Sequence, residues 1–339
     1  MSSPVLPPQK KPRTTPLLGT HSGTFHCDEA LAVFLLRLLP AYTTSDLVRS
    51  RDPVVLEECT VVVDVGGIYD VEKLRFDHHQ RGFEENFGMG FKTKLSSAGL
   101  VYKHYGSEIL AQVLSLPITH ATVTTLFPKI YADFVEALDG IDNGISAQSG
   151  PALYRSKTDL SSRVGTLNPR WNEPSSDEIL DAKFEVASKL AGGEFLQRVD
   201  YLAKAWLPAR DIVLRAVDAR KTVHSSGKVV VFDEFSPWKE HLHILEGELQ
   251  IPQDELPLYV LYPEGTEANS KWRIQAVPQD AESFQSRKAL PEAWRGVRDA
   301  ALDELTGIEG CVFVHAAGFI GGNKTREGAM KMAVDALSL

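Results

Sequence analysis

The chain has 339 residues, long enough for two domains, and it is 43% hydrophobic and 24% charged, an ordinary globular balance. With 36 basic and 45 acidic residues its net charge is −9, so bulk charge does not draw it to a polyanion; that would need bound cations or a local basic patch. No apolar run reaches the length of a membrane span, and three scattered cysteines, Cys27, Cys59 and Cys311, fit no CxxC pattern and suggest a reducing compartment.

Residues 1–16 are proline-rich and basic and read as a disordered tail, with Lys10-Lys-Pro-Arg13 as a short nuclear-targeting-like cluster. Leu17–Thr20 reads as a first short strand. It runs through His21-Ser-Gly-Thr-Phe-His-Cys-Asp28 into a buried helix ending at Leu39, with Asp28 of capping type. Three potential ligands in eight positions, His21, His26 and Asp28, beside a glycine that lets the loop turn tightly, favour a metal over a satisfied loop histidine. Thr44–Arg49 and Val54–Leu56 offer another strand.

Val61-Val-Val63 is β-branched and apolar, the pattern of a buried parallel strand, and it ends on Asp64 before the break Gly66-Gly67. A carboxylate at the carboxyl end of such a strand stands where open α/β sheets place ligands. A second strand, Lys73–Phe76, delivers Asp77, His78 and His79 together. Imidazole and carboxylate side by side suit Zn, Mn or Fe; the plain alternative is a solvated polar turn. Residues 81–94 read as a Gly- and Phe-rich loop, followed by helices at about 96–114 and 129–139. The second of these stops at Asp139-Gly-Ile-Asp-Asn-Gly144, where Asp139 and Asp142 could equally belong to an ordinary turn.

Residues 150–172 carry Arg155, Lys157, Arg163 and Arg170, with Tyr154 and Trp171 at the ends. Basic and aromatic interleaving suits single-stranded nucleic acid, and a solvated loop fits equally well. After a helical stretch at about 177–220 the texture changes. Strands at 228–232, 258–262, 271–277 and 311–315, with helices near 285–305 and 324–337, form a smaller α/β domain. Near its end, Gly318-Phe-Ile-Gly-Gly-Asn-Lys-Thr-Arg-Glu-Gly328 reads as a Gly-rich loop. Its Gly321, Gly322, Lys324 and Arg326 could cradle a phosphate at a helix N-terminus.

Together these motifs resemble the DHH phosphoesterase superfamily. The longer wordings Gly19-Thr-His-Ser-Gly-Thr-Phe-His-Cys-Asp-Glu29, Arg75-Phe-Asp-His-His-Gln80, Asp139-Gly-Ile-Asp-Asn-Gly144, Leu167-Asn-Pro-Arg-Trp-Asn172 and Gly318–Gly328 are similar to the melanocyte-proliferating-gene exonuclease family. The resemblance implies a DHH-type parallel-sheet domain over residues 17–205 with two divalent metals, usually Mn²⁺, with Mg²⁺, Co²⁺ and Zn²⁺ left open. It implies a C-terminal DHHA-like substrate-binding domain over 206–339. His21 and His26 would bind one metal, Asp28, His78 and Asp139 (or Asp142) the other, and Asp64 would bridge them. Asp77 would orient His78, His79 would contact the phosphate, and Lys324 and Arg326 would hold substrate. One departure is His26, where many relatives have Asp, so the bound metal would keep more positive charge. The expected activity is a 3′→5′ exoribonuclease on single-stranded RNA, with DNA open, in nucleus and mitochondrion. Alternatives are a small-molecule phosphatase or a non-catalytic RNA-binding protein.

Overall fold

The computed structural model describes residues 15–151 and 153–339; the first 14 residues of the expected tail, Lys10–Arg13 included, lie outside them. The chain is mixed α/β and divides into two compact units, Met1–Tyr201 and Leu202–Leu339. Among the described residues no helix is long and apolar enough to cross a membrane.

The first unit is built on β1 (Leu17–Thr20), β2 (Asp46–Arg49), β3 (Val61–Val63), β4 (Tyr69–Asp70) and β5 (Arg75–Phe76), in the order β2-β1-β3-β5-β4. All neighbours are parallel except the edge pair β4–β5. Val61, Val62 and Val63 are buried, so β3 is covered on both faces, as its unbroken β-branched run requires. β1 crosses to β2 on one side and the chain returns to β3 on the other, which makes the β1/β3 crevice the point where strand order reverses.

Helix α1 (Cys27–Arg37) packs between α3 (Ser97–Leu114) and α7 (Asp177–Tyr201). Its N-cap is His26 rather than Asp28, and the backbone N–H of His26 donates to Glu29 Oε1 at 2.8 Å. Val54–Leu56 is not a strand but part of a one-turn helix, α2 (Pro53–Glu57). Asp52 caps it by accepting from Val54 N, and Pro53 sits at the first helical position, where its missing N–H costs nothing.

Residues 81–94 hold a hairpin, β6 (Asn86–Gly88) with β7 (Phe91–Lys94), rather than a bare loop. Phe87 stacks on Tyr131 at 3.8 Å between ring centroids, which anchors the hairpin to the helices. The helix expected from 129 begins earlier, as α4 (Ala121–Ile130), and passes through Pro128. It runs on through a π-helical turn, Tyr131–Val135, into α5 (Glu136–Asp142). A short helix unforeseen in the sequence, α6 (Leu160–Gly165), is capped by Asp159.

The second unit has α8 (Leu207–Val223), β8 (Val229–Val231), α9 (Lys239–Glu248), β9 (Tyr259–Pro263), β10 (Trp272–Ala276), α10 (Asp299–Thr306), β11 (Cys311–Val314), β12 (Ile320–Asn323) and α11 (Arg326–Ser338). Its sheet runs β11-β12-β10-β9-β8. Alternate residues face opposite sides. Val229, Leu261 and Ile274 pack with Leu302, Ala329 and Met332, while Val230, Val260 and Tyr262 pack with Val213, Val217, Leu242 and Leu245. The sheet is therefore covered by helices on both faces. The helix expected near 285–305 shrinks to α10 and a 3₁₀ turn, Glu292–Trp294, because Pro291 and a left-handed Gly296 (φ 78°) break the segment.

Gly321 and Gly322 stand inside β12, paired with both β10 and β11, and not in a loop. A Cβ on Gly321 would lie 2.9 Å from the Phe313 carbonyl oxygen. Close strand packing is thus the structural reason for this glycine.

Candidate metal centre

Three parallel strands end at one place. β1 leads into His21, β3 into Asp64, and β5 into Asp77-His78-His79. Helix α1 brings its first turn to the same crevice with His26, Asp28 and Glu29. Asp64 adopts a left-handed backbone (φ 58°), an uncommon conformation that Asp tolerates better than most residues. Gly66 and Gly67, with φ of 97° and 67°, then turn the chain away.

The side chains form three overlapping groups able to hold a metal ion: His21, His26, Glu29 and Asp64; Asp64, His78 and His79; and His26, Asp28 and Asp142. Asp64 belongs to the first two and His26 to the first and third. His21 Nε2 lies 3.1 Å from Glu29 Oε1 and 3.3 Å from Asp64 Oδ2. His78 Nε2 lies 3.2 Å from Asp64 Oδ1 and 3.1 Å from Asp142 Oδ2.

His21, Asp28, Glu29, Asp64 and His78 are all buried. Asp28 Oδ1, Glu29 Oε2, Asp64 Oδ1 and both ring nitrogens of His78 lack an aligned hydrogen bond, although some lie within ion-pair distance. Buried polar atoms without partners are costly, and a set made of carboxylate and imidazole is what a divalent transition metal takes. The donor set therefore fits a cation.

The protonation balance agrees. Burial lowers the pKa of His21, but hydrogen bonds and charge from Asp64 and Glu29 outweigh it and push it up to about 10. His78 is likewise raised to about 10 against the effect of burial, by Asp142, Asp64 and Asp28. Burial raises Glu29 to about 8 despite His21, and burial with the nearby Asp142 raises Asp28. The histidines are thus raised by the acids around them, and the acids by burial and one another's charge.

Surrounding residues fix this geometry. Asp28 Oδ2 accepts from Ser97 Oγ at 2.7 Å. Asn168 makes a two-way bridge to the Phe25 backbone, at 3.1 and 2.9 Å. The buried Arg49 donates to the Gly23 carbonyl at 2.7 Å and lies against the Phe25 and Phe184 rings, holding the loop between β1 and α1.

Two expectations change at this level. Asp77 does not orient His78. Its Oδ1 accepts from His79 Nδ1 at 2.8 Å and from His79 N at 3.1 Å, while Oδ2 accepts from Gly67 N. The His78 ring is held instead beside Asp64 and Asp142. Between Asp139 and Asp142, only Asp142 reaches the cluster. The Asp139 carboxylate is fully buried and accepts from Ser96 N, Ser96 Oγ, Gly99 N and Tyr131 Oη, at 2.9, 2.7, 3.1 and 2.8 Å. Burial raises its pKa to about 7 although these donors pull it down.

The sequence reading passed over Glu29. It stands three residues after the N-cap, where an acid ordinarily serves the helix end, and the packing of α1 also brings the capping oxygen, Oε1, to His21 while Oε2 stays without a hydrogen-bond partner.

The other candidates are spread more widely. A cavity of about 310 Å³ over the centre is lined by His26, Asp28, Asp64, His79 and Asp142, and also by Ser161 and Gly165 of α6. The basic and aromatic segment thus borders the site. Within it Tyr154 and Trp171 are exposed, Trp171 at 97%, and so is Arg155. Arg163 pairs with Glu194 at 2.9 Å, and Arg170 is 3.7 Å from Glu173. In the second unit Lys324 and Arg326 are exposed at the start of α11, and Arg326 lies over the Trp272 ring at 5.6 Å.

Fold and site define an α/β protein with a centre of carboxylates and imidazoles, able to hold cations, at the carboxyl ends of a parallel sheet. Residues 17–337 match the MYG1 exonuclease family model, described as "Uncharacterised protein family (UPF0160)". The chain is 51% identical over 322 residues to the MYG1 protein of Dictyostelium discoideum, covering 94% of this chain and 95% of that protein. It is 50% identical to the MYG1 exonuclease of Mus musculus, covering 96% and 87%, and 50% identical to that of Homo sapiens, covering 97% and 88%. The chain belongs to the MYG1 family.

Proposed function

We propose that the protein is a metal-dependent phosphodiesterase of the DHH type that removes nucleotides from the 3′ end of single-stranded RNA. The observation that carries this reading is Asp64. It is a buried carboxylate at the end of the central strand, shared by two ligand groups, with an oxygen that no protein donor satisfies. The exonuclease names of the mouse and human relatives support the same class.

His21, His26, Glu29 and Asp64 would hold one cation, and His78, Asp28 and Asp142 with Asp64 a second. Bound divalent ions, Mn²⁺ foremost, supply Lewis-acid chemistry and a more acidic water. Asp139 would hold the helices around the site through Ser96, Gly99 and Tyr131. His79 is 61% exposed on the cavity, and Asp77 on its Nδ1 leaves the opposite ring nitrogen free to donate to a phosphate oxygen or to hold a proton. The exposed Trp171, Tyr154 and Arg155, together with Arg163 and Arg170, would track the chain by stacking and charge. In the second unit Lys324 and Arg326 would grip phosphate through side-chain charge, with Gly321 and Gly322 serving the sheet beneath them. A nuclear and mitochondrial location rests on the family resemblance, and fractionation tests it.

The test is incubation of the pure protein with Mn²⁺ and end-labelled single-stranded RNA and DNA. Stepwise release of nucleotides from the 3′ end of RNA, abolished by chelator, is expected. Hydrolysis of mononucleotide or pyrophosphate substrates alone would favour the small-molecule reading instead.

A further inference from the structure

Arg51 follows β2, the strand beside β1. Its exposed guanidinium reaches the centre, with Nη2 3.2 Å from His21 Nδ1. It lines a cavity of about 330 Å³ together with His21, His26, Asp64, Gly66 and His79. Among the described residues, no other Arg or Lys lines either cavity at the centre.

Arg51 is also unlike other arginines of this unit. Arg37, Arg49 and Arg163 are paired with Glu185, Asp181 and Glu194. No carboxylate among the described residues lies in ion-pair range of Arg51, on a chain with nine more acids than bases (45 − 36). Its Nη2 touches His21 Nδ1, a nitrogen that also lies 3.2 Å from the Ser22 carbonyl oxygen, and its other N–H donors are left for a ligand. The facing wall is bare, since at Gly67 even a Cβ would meet nothing within 4 Å. A tetrahedral anion has room there.

We propose that Arg51 binds the phosphate group of the substrate in this cavity, through charge-assisted hydrogen bonds to its non-bridging oxygens. This rests on the phosphodiesterase reading and adds to it the residue that admits an anion. The cavity wall also presents the His21, His26 and His79 imidazoles and the Asp64 and Asp77 carboxylates, and the carboxylates repel phosphate. A guanidinium at its edge gives the anion a directional, bidentate partner. The competing role for Arg51 is to position His21 through Nδ1. The two roles separate experimentally, because positioning His21 would act on cation affinity and anion binding would not.

The experiment uses the full chain loaded with Mn²⁺ and calorimetric titration with inorganic phosphate, for wild type, Arg51→Ala and Arg51→Lys. Mn²⁺ affinity and hydrolysis of single-stranded RNA are measured in parallel. The expected result is phosphate binding weakened about tenfold or more in Arg51→Ala, partial recovery in Arg51→Lys, unchanged Mn²⁺ affinity, and a matching fall in hydrolysis. Equal phosphate affinity in wild type and Arg51→Ala overturns the proposal, as does a wild type that binds no phosphate. A parallel loss of Mn²⁺ affinity overturns it in favour of positioning. A wild type that binds phosphate through Arg51 yet cuts no nucleic acid supports the anion site and refutes the nuclease reading.

Discussion

Exchanging Asp139 and Asp142 for alanine, one at a time, separates a carboxylate that builds the site from one that faces a cation. Asp139 accepts two fixed backbone donors, Ser96 N and Gly99 N, and two hydroxyls that can rotate, Ser96 Oγ and Tyr131 Oη. In Asp139→Ala the hydroxyls can turn elsewhere, but the backbone N–H groups stay buried and unpaired. At about 1–3 kcal/mol each, the loss is about 2–6 kcal/mol, a large share of the 5–15 kcal/mol of a typical domain. With about 2–4 °C per kcal/mol for a unit of this size, the melting temperature should fall by roughly 5–20 °C in chelator. Asp142 is 19% exposed and, among the described residues, accepts no buried backbone donor, only the His78 ring, so Asp142→Ala should lower stability less than Asp139→Ala does while weakening cation binding. Thermal melts in chelator, paired with Mn²⁺ titration, read both quantities. If Asp139→Ala melts like wild type and loses only metal, the division of roles drawn from the hydrogen bonds is refuted.

Asp64→Ala should leave the circular dichroism spectrum unchanged and abolish both Mn²⁺ binding and hydrolysis; full metal content in the variant would sink its place at the junction of the two groups. The pH dependence of the metal-free protein has a definite sign. His21 and His78 are raised from 6.5 to about 10 in the folded state, so the native state holds more protons than the unfolded one across that window. The contribution of these two histidines is therefore full below about pH 6.5 and is lost as pH rises towards 10. Glu29, raised to about 8, and Asp139, raised to about 7, lose theirs in the same direction from lower pH, so melts in chelator should show stability declining, and stability rising over this range would contradict the shifts. Trp171→Ala should leave the melting temperature unchanged, since the ring is 97% exposed, and should cost about 1–3 kcal/mol of single-stranded RNA affinity in a fluorescence titration. Unaltered affinity would mean that the ring stacks on no base. Arg326→Ala should leave Mn²⁺ binding intact and slow hydrolysis roughly tenfold, with partial recovery in Arg326→Lys, in steady-state kinetics with metal occupancy measured alongside.

What the sequence determined by itself is what local pattern encodes. Val61–Val63 could only be a covered strand, and a strand ending on Asp64 places that carboxylate at the mouth of a sheet. The apolar run Leu258–Tyr262 and the alternation in Trp272–Ala276 likewise marked β9 and β10 of the second unit, because both patterns are properties of neighbouring residues. At Val54–Leu56 the deciding signal is itself local, since Asp52 and Pro53 cap and start a helix there against the strand propensity of the valines. The tertiary structure decided everything that depends on a distant partner. Gly321-Gly322 has a loop's composition, and it became a strand because β10 and β11 approach too closely for side chains. Asp139 and Asp142 are three residues apart on one turn, and only the positions of Ser96 and Tyr131 show which of them is enclosed. Glu29 and Arg51 carried no local signal. Only the packing of α1 and the edge position of β2 bring both to His21.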